Sequence, residues 1–560
     1  MQRPRILPLA ASLCLLAFEA RADDRPATPS NYRTVVTSLR PGDTMRLAAG
    51  SYGILSISNL NGTPDAPIVI EGPASGPAAV FNADPGPCCN TVELRNSSYV
   101  VLRHVTVDGH GVVGAFGVSA GGLASNTVHH ITVEGCTFVG HDGSQQTVAI
   151  STKTPTWGWV IRGNTINGAG TGLYLGNSDG SQPFIGGLIE NNLIQNTIGY
   201  GMEIKYQRAR PMLAGMPTAP TSTIIRNNVW IKTDRPSPDG NRPNLLVGGF
   251  PDTGLGAMDR YEIYGNVFLH NPRESLLQAS GRVTIHDNLF LDVVGTAILL
   301  RNHDLPLRQA FVYDNTIYAA GRGVVFGSAA AQGSAVVGNV IFSAMPISGT
   351  IDTLRDNVTD TVAAAPMYVA APSITPGSMD FYPRAGRCQG AAIDMAQLSA
   401  DRDWNLDFNC TPRTSRTFRG AYAGEGTNPG WRVIAGLKPA CAVASPDAGV
   451  VDASTPDVIV TDATAPDVTV SDATLADVPS ATDAMATDVI ANDVTANDVT
   501  ANDVTANADV ATADAATPPS SASDSGCGCA TPRGAPSTPR ALLALLAATA
   551  LVRARRRRSA

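Results

Sequence analysis

The stretch LIENNLI at residues 188–194 is one copy of a short phrase that recurs along much of the chain. Each copy contains a few apolar residues, a polar bend and a further apolar step, and successive copies lie 18 to 38 residues apart. A phrase that returns at such intervals is typical of a stacked array of structural repeats. The copies are ITVEGCTF (131–138), VIRGNTI (160–166), LIENNLI (188–194), IIRNNVW (224–230), EIYGNVF (262–268), TIHDNLF (284–290), FVYDNTI (311–317), VVGNVIF (336–342) and TLRDNVT (353–359).

One aligned position is asparagine in every copy except the first, where it is Cys136. Asparagine tolerates the left-handed backbone of a sharp bend, and identical side chains one coil apart can hydrogen-bond along a stack. We therefore predict an asparagine ladder with Cys136 as a small buried residue in the same slot. A row of ligand- or metal-binding side chains is the alternative. The predicted ladder residues are Asn164, Asn192, Asn228, Asn266, Asn288, Asn315 and Asn339, and Asn357 has the same place in the last copy.

A second strand usually follows each phrase, as in GLYLG (172–176) and GMEIK (201–205). Apolar residues alternate with period two, so each strand should turn one face inward and the other outward. Two or three short strands per repeat, with no helical pattern between them, predict an all-β solenoid. Its coils should stack through parallel hydrogen bonds about 4.8 Å apart.

Both ends of the repeat region carry a family resemblance. The segments RPGDTMRLAAGSYG (40–53), NGTPDAPIVIEG (61–72) and SSYVVLRHVTVDG (97–109) resemble the opening coils of right-handed parallel β-helix proteins of the pectate-lyase-like superfamily. DFYPRAGRCQGAAID (380–394), DRDWN (401–405) and RGAYAG (419–424) are similar to the segment that follows the last coil in such proteins. The resemblance implies a right-handed parallel β-helix with an N-terminal cap and a closing segment over residues 23–435. It does not imply an activity, because this fold carries lyases, hydrolases, esterases and adhesins.

The two termini have compositions of their own. Residues 1–22 join a basic start and an apolar run to small residues ending at Ala22, which predicts a signal peptide and export. Residues 446–525 are rich in regularly spaced Asp and predict a disordered acidic linker. Residues 526–560 combine a Gly-Cys motif, a short hydrophobic stretch and an Arg cluster, and they resemble the MYXO-CTERM sorting signal of myxobacterial surface proteins. That resemblance implies processing at Cys527 or Cys529 and attachment to the outer cell surface.

The charge distribution bears on whether the chain binds nucleic acid. The net charge of -8 comes largely from the Asp-rich segment, so residues 23–445 are close to neutral. This predicts no nucleic-acid partner, and we expect a monomer.

Disulfides are permitted in an exported chain. We expect Cys388 to pair with Cys410, although sequence does not fix the connectivity.

The stretch GMEIKYQ (201–207) is the main candidate site. If Met202 and Ile204 point inward, then Glu203 and Lys205 point outward about 7 Å apart along the strand. They are candidate catalytic residues, and an ordinary solvated pair is the alternative. Neighbouring coils and loops would add substrate-binding side chains. These candidates are Tyr174, Arg208, Arg301 and His303.

Two long excursions next to this strand, residues 207–222 and 248–262, are expected to build the binding face. Asp234, Asp252 and Asp259 are candidate calcium ligands there, with scattered surface acids as the alternative. Calcium is the one cofactor we consider.

The function expected from these features is binding of an extracellular or cell-wall polysaccharide, with cleavage by β-elimination as a further step. The most relevant enzymes by resemblance are the family-6 polysaccharide lyases, which use a Lys as the base. In this chain, however, the spacing from Glu203 to Lys205 is shorter than in those lyases, and NLLVGGF (244–250) lacks the Arg that they place on the next coil. Glu203 beside Lys205 would also stabilise the ammonium rather than the free amine. A non-catalytic surface adhesin or envelope structural protein is therefore the competing interpretation, and whether the chain is an enzyme stays open.

Overall fold

The computed structural model describes residues 22–85, 90–121 and 126–441. Within these ranges nearly all regular structure is β, with one short α-helix at Tyr32–Val36 and one 3-10 helix at Val362–Met367. Neither helix has the length and apolar character needed to cross a membrane. The predicted signal peptide, acidic linker and C-terminal tail, with Cys527 and Cys529, lie outside the described residues, whereas Ala22 is their first residue.

Three long parallel sheets run the length of the domain, and each coil contributes a strand to sheet A, then to sheet B, then to sheet C. This arrangement confirms the predicted right-handed parallel β-helix. Sheet A contains Asp24–Ala27, Thr44–Leu47, Ile68–Glu71, Ser97–Arg103, Val128–Glu134, Val160–Arg162, Leu188–Glu190, Ser222–Arg226, Arg260–Tyr264, Gly281–His286, Leu307–Tyr313, Ser334–Val337 and Thr353–Arg355. Sheet B contains Gly50–Tyr52, Ala79–Asn82, Val105–Asp108, Thr137–His141, Thr165–Ala169, Leu193–Gln195, Val229–Ile231, Val267–Leu269, Leu289–Asp292, Thr316–Ala319, Val340–Phe342 and Val358–Asp360. Sheet C contains Leu55–Ser58, Val92–Arg95, Val118–Ala120, Val148–Thr152, Thr171–Leu175, Met202–Ile204, Leu245–Val247, Leu277–Ala279, Thr296–Leu300, Arg322–Phe326 and Met345–Ser348.

Two small strand pairs complete the described β-structure. Thr156–Trp157 pairs in parallel with Phe184–Ile185, and Val369–Ala371 pairs antiparallel with Asp380–Pro383 after the last coil.

The interior is filled by columns of like side chains, because every strand presents alternate residues to the core. In sheet A the residues in register at the centre of the wall are aliphatic and nearly all fully buried. This column runs through Met45, Ile70, Leu102, Val133, Ile161, Ile189, Ile225, Ile263, Ile285, Val312 and Val336.

The recurring phrase forms the corner between sheets A and B. Asn192 shows the arrangement: its backbone N–H and its side-chain amide both donate to the Asn228 Oδ1 of the next coil, at 3.0 and 2.9 Å. The same contacts link Asn164 to Asn192 and continue to Asn357, and the Cys136 N–H donates to Asn164 Oδ1 at 2.9 Å. The ladder side chains therefore satisfy buried backbone groups at every turn.

The left-handed residue of this corner is the one before each ladder position, rather than the ladder residue itself. Asn191 and Asn227 have φ of 53° and 57°, and Asp287 has φ of 52°. Only Gly, Asn or Asp occupies this place in the nine copies, because these residues adopt positive φ at the lowest cost. The ladder asparagine contributes its hydrogen bonds, and its neighbour contributes the turn.

The closing segment, residues 380–441, runs back along this corner. The Arg413 guanidinium donates to the carboxylate of Asp287, with Nε at 3.1 Å. Lys438 Nζ donates to Asn227 Oδ1 at 2.9 Å, two corners earlier in the solenoid. The segment thus fixes left-handed corner residues of several coils.

The expected disulfide between Cys388 and Cys410 is wrong, because Cys410 is bonded to Cys441. Their Cα atoms are 5.6 Å apart, a normal separation for a disulfide. Cys388 is free and packs in the apolar cluster beneath the closing segment. The return path of the chain, which sequence spacing does not show, decides the pairing.

Candidate functional site

A cleft of about 340 Å³ lies on the outer face of sheet C. Its floor is formed by the strands Val148–Thr152, Thr171–Leu175 and Met202–Ile204, which are adjacent in register. Its lining is polar, cationic and aromatic. The lining residues are Phe116, Gln145, Gln146, Val148, Lys153, Thr171, Tyr174, Ser178, Tyr200, Glu203, Lys205 and Arg242.

Glu203 and Lys205 form an ion pair within this cleft. Met202 and Ile204 are fully buried in the core, which turns the intervening Glu203 to the outer face. Lys205 Nζ lies 2.9 Å from Glu203 Oε1, and the Lys205 side chain keeps 15% of its surface exposed. The alternative of a solvated pair is wrong for Glu203, which is only 3% exposed. Burial raises the pKa of Glu203, and the Lys205 ammonium opposes that rise.

Lys153 forms a second cationic feature of the cleft. Its ammonium lies 5.7 Å from the ring centroid of Phe116 and 5.9 Å from that of Tyr174. Within the described part of the chain, no carboxylate lies within salt-bridge distance of Lys153. The electron-rich ring faces therefore stabilise this cation in place of an acid.

Arg242 and Tyr200 form one wall. The Arg242 guanidinium lies 5.6 Å from the Tyr200 ring centroid and donates to the carbonyl oxygens of Asn241 and Asp239 at 2.9 and 3.1 Å. Among the described residues, Arg242 has no carboxylate within 4 Å. Burial raises the pKa of Tyr200, and the charge of Glu203 raises it further, so the phenol stays protonated at neutral pH.

The cleft therefore has an excess of positive charge. Three cationic side chains line it against the single carboxylate of Glu203. Glu274 and Asp304 are acids outside the lining whose charges act on the Tyr200 phenol. Two of the three cations, Lys153 and Arg242, have aromatic neighbours and, among the described residues, no acidic partner, so they are available to an anionic ligand.

The rim of the cleft is built by residues 232–243, which cross from a later coil to an earlier one. Gln145 Nε2 donates to the Gly240 carbonyl at 2.8 Å, and Gln145 Oε1 accepts from the Asp239 N–H at 2.9 Å. Arg235 pairs with Asp142 at 2.7 Å. These bonds hold the segment that positions Arg242.

The other predicted substrate-binding residues are distributed unevenly. Tyr174 lines the cleft next to Glu203, with which it is in register. Arg208 and Arg301 are exposed and do not line it. His303 is half-buried outside the lining, and burial lowers its pKa, with Lys205 contributing to the lowering.

The three candidate calcium ligands are not brought together. Asp259 is buried and accepts hydrogen bonds from Arg210 and from the Thr221 N–H. Asp252 pairs with Arg308, and Asp234 lies 3.1 Å from His270. Within the described ranges, no group of three or more His, Cys, Asp or Glu side chains is arranged to hold a metal ion.

The two long excursions contact each other rather than the cleft. Arg210 of the first and Asp259 of the second form a buried ion pair that joins them. Neither excursion contributes a residue to the cleft lining. The walls come instead from loops that precede the strands of sheet C, such as 142–147 and 232–243.

Sequence reasoning missed Lys153, Tyr200, Arg242 and Gln145. Lys153 has a signal in the sequence, since it follows strand Val148–Thr152 as Lys205 follows strand Met202–Ile204. Arg242 and Gln145 have none, because a contact across more than ninety positions joins their segments.

A family model described as the right-handed β-helix region matches residues 148–353, which include most of the cleft lining. Among the curated proteins searched, none matches the sequence.

Several solved structures are similar to this chain at low identity. An alginate lyase from Paenibacillus sp. str. FPU-7 is 16% identical over 59% of this chain and 97% of that chain, with a TM-score of 0.33. The mannuronan C-5 epimerase AlgE6 A-module of Azotobacter vinelandii is 20% identical over 57% and 91%, with a TM-score of 0.35. The pectate lyase Pel9A is 14% identical over 72% and 96%, with a TM-score of 0.38. Similarity at this level does not indicate a function for this chain.

Proposed function

We propose that the cleft on sheet C binds an acidic polysaccharide and that Lys205 contributes a cation to this binding. The observation that carries the proposal is the pair Lys153 and Arg242, two cations in a cleft without carboxylate partners among the described residues. Tyr174 and Tyr200 add aromatic faces and hydroxyl groups, which suit the apolar faces and hydroxyls of sugar rings.

Lys205 is better suited to binding than to proton abstraction. A lysine acts as a base only when its surroundings favour the neutral amine, and a carboxylate at 2.9 Å favours the ammonium instead. The ion pair of Glu203 and Lys205 thus supports the non-catalytic interpretation. β-Elimination stays the second candidate, because Tyr200 and Lys205 lie in one cleft as an acid and an amine.

One experiment separates these functions. The mature chain is titrated with a panel of uronate polysaccharides, and both binding and the ultraviolet absorbance of unsaturated products are measured. Lys205→Met should weaken binding of an acidic glycan by about 1 kcal/mol, as expected for one partly exposed ionic contact. Arg322→Met, an exposed site on a later strand of the same sheet, is the charge-matched control and should bind normally.

Turnover would decide in favour of the enzyme. If Lys205→Met leaves binding intact but lowers product formation by about a hundredfold, Lys205 is a general base and the lyase function replaces the binding function. If none of the glycans binds to the wild-type chain, the cleft is not a polysaccharide site.

We further propose that the chain is exported and held at the outer cell surface by residues 526–560. The support is the sequence of the two termini: a signal-like start ending at Ala22 and a sorting-like end with Cys527 and Cys529. Deleting residues 526–560 should release the protein into the medium. Continued association of the truncated protein with cells would place the anchor elsewhere.

Calcium has no part in the proposed binding mode. A calcium ion would bridge a ligand carboxylate to protein carboxylates, and the one carboxylate in the cleft lining is paired with Lys205. Binding should therefore be unchanged in a chelator, and a strict calcium requirement would contradict this binding mode.

A further inference from the structure

The residues that follow successive strands of sheet C form a column with an alternating pattern. The last strand residues Ala120, Thr152, Leu175, Ile204 and Val247 are partners in register from coil to coil. The next residue in each coil therefore belongs to one column along the solenoid axis. This column, which we call the glycine–lysine column, reads Gly121, Lys153, Gly176, Lys205 and Gly248.

The column places a cation on every second coil with no side chain between. Lys153 and Lys205 are two coil spacings apart, roughly 10 Å along the axis. Gly176 lies between them with φ of 92°, a backbone conformation that disfavours a larger residue. Gly248 is also confined to glycine, because a Cβ there would lie 2.3 Å from the Tyr206 backbone nitrogen.

The middle coil offers a ring face instead of a charge. Tyr174 precedes Gly176 by two positions and lies on the outer face between Ser151 and Glu203. The faces of aromatic rings carry partial negative charge, and the Glu203 carboxylate is on the next coil. The Lys153 ammonium lies 5.9 Å from the centroid of this ring, but the coil of Tyr174 itself adds only Thr171, Tyr174 and Ser178 to the cleft lining and no cation. An uncharged sugar stacks favourably on the ring, whereas an anionic group placed there meets no cation of its own coil.

Resting on the proposed function, we infer that the ligand lies along the solenoid axis and carries an anionic group on every second sugar. An extended pyranose chain advances by about one coil spacing per ring, so alternate rings fall on Lys153 and Lys205. The uncharged ring between them lies over Gly176 and Tyr174. The glycine–lysine column therefore recognises a polymer of alternating acidic and neutral sugars rather than a polymer of acidic sugars alone.

The test compares two octasaccharides by isothermal titration calorimetry on the full mature chain at equal ionic strength. Hyaluronan oligosaccharide carries a carboxylate on every second ring, and oligogalacturonate carries one on every ring. General charge attraction would favour the second ligand. The column should instead bind the alternating ligand about tenfold more tightly, because the fully charged one sets a carboxylate against Tyr174 and Glu203.

Variants of both lysines sharpen the result. Lys153→Met and Lys205→Met should each weaken hyaluronan binding by about fivefold, the equivalent of one partly exposed ionic contact. Arg322→Met should leave it unchanged, and circular dichroism should show all three variants folded.

The outcomes separate the inference from the proposed function. Equal or tighter binding of oligogalacturonate, or an unaffected Lys153→Met variant, would overturn the alternating ligand while leaving an acidic-glycan site. Binding of neither octasaccharide would overturn the proposed function and the inference together.

Discussion

Replacing Asn228 by leucine is expected to destabilise the β-helix by about 2–6 kcal/mol. Asn228 Oδ1 accepts from the backbone N–H of Asn192 at 3.0 Å, and its Nδ2 donates to the carbonyls of Ile189 and Arg226 at 2.9 and 3.0 Å. Leucine has a similar size but can make none of these bonds. The side chain is fully buried, so water cannot replace them.

The magnitude follows from which groups lose their partners. The Asn192 N–H is left without an acceptor in a buried corner, which costs about 1–3 kcal/mol. Each of the two carbonyls loses one neutral hydrogen bond, worth about 0.5–1.5 kcal/mol net. The Asn192 side-chain amide still donates to Ile161 at 2.8 Å, so it contributes little to the loss.

Equilibrium unfolding in guanidinium, followed by circular dichroism, measures the effect. Asn167→Leu is the matched control, because Asn167 is exposed on sheet B and, among the described residues, its side chain accepts only from Asn196. The control should change the unfolding free energy by less than about 0.5 kcal/mol. The reasoning is refuted if Asn228→Leu falls within that same margin, or if both variants lose equal stability.

Three further perturbations have expected outcomes. Burial raises the pKa of Glu203, so acidification from neutral pH protonates this carboxyl earlier than a free glutamic acid and removes the charge that competes with the ligand. Calorimetry should show tighter binding of an acidic glycan as pH falls toward that pKa, and Glu203→Gln should bind tightly without this dependence. Peptide mapping without reduction should recover Cys410 linked to Cys441, and Cys388 should react with iodoacetamide only after unfolding; labelling of native Cys388 would contradict its burial. Arg413→Met removes the guanidinium from the buried carboxylate of Asp287, which keeps His286 as a neighbour, and leaves Asp314 paired with Arg416 alone. It should cost about 3–5 kcal/mol in guanidinium unfolding, and a loss below about 1 kcal/mol would mean that the closing segment does not fix the corner.

The fold was predictable because one local pattern repeats with little interruption. Period-two alternation and the recurring asparagine specify the inward face and the corner of each coil without any knowledge of distant contacts. The sequence analysis placed the left-handed backbone at the ladder asparagine, whereas the residue before it has the positive φ. The position before the ladder residue is Gly in some copies and Asn or Asp in others, so the sequence shows no single conserved type there. What these three residue types share is tolerance of positive φ.

The cleft was only partly predictable. Alternation places Glu203 and Tyr174 on one outer face, which the structure shows in register. It does not show that Glu203 is buried, because residues from other coils cover it. The segment 232–243 crosses the coils to bond with Gln145, and no local pattern marks such a crossing. The excursions 207–222 and 248–262 were predicted to build the binding face, but the buried ion pair of Arg210 and Asp259 joins them to each other.

The rigidity of the solenoid connects the ladder to the proposed recognition. Backbone hydrogen bonds from Lys153 to Ala120, at 2.7 Å, and from Lys205 to Leu175, at 2.8 Å, tie the glycine–lysine column to the sheet. The asparagine ladder fixes the same coil spacing at the corner between sheets A and B. Since stacked coils cannot slide or stretch without breaking many such bonds, the separation of the two lysines is set by the fold and not by side-chain choice. A ligand must therefore match the coil spacing, and the residue types in the column decide only which of its rings are recognised by charge.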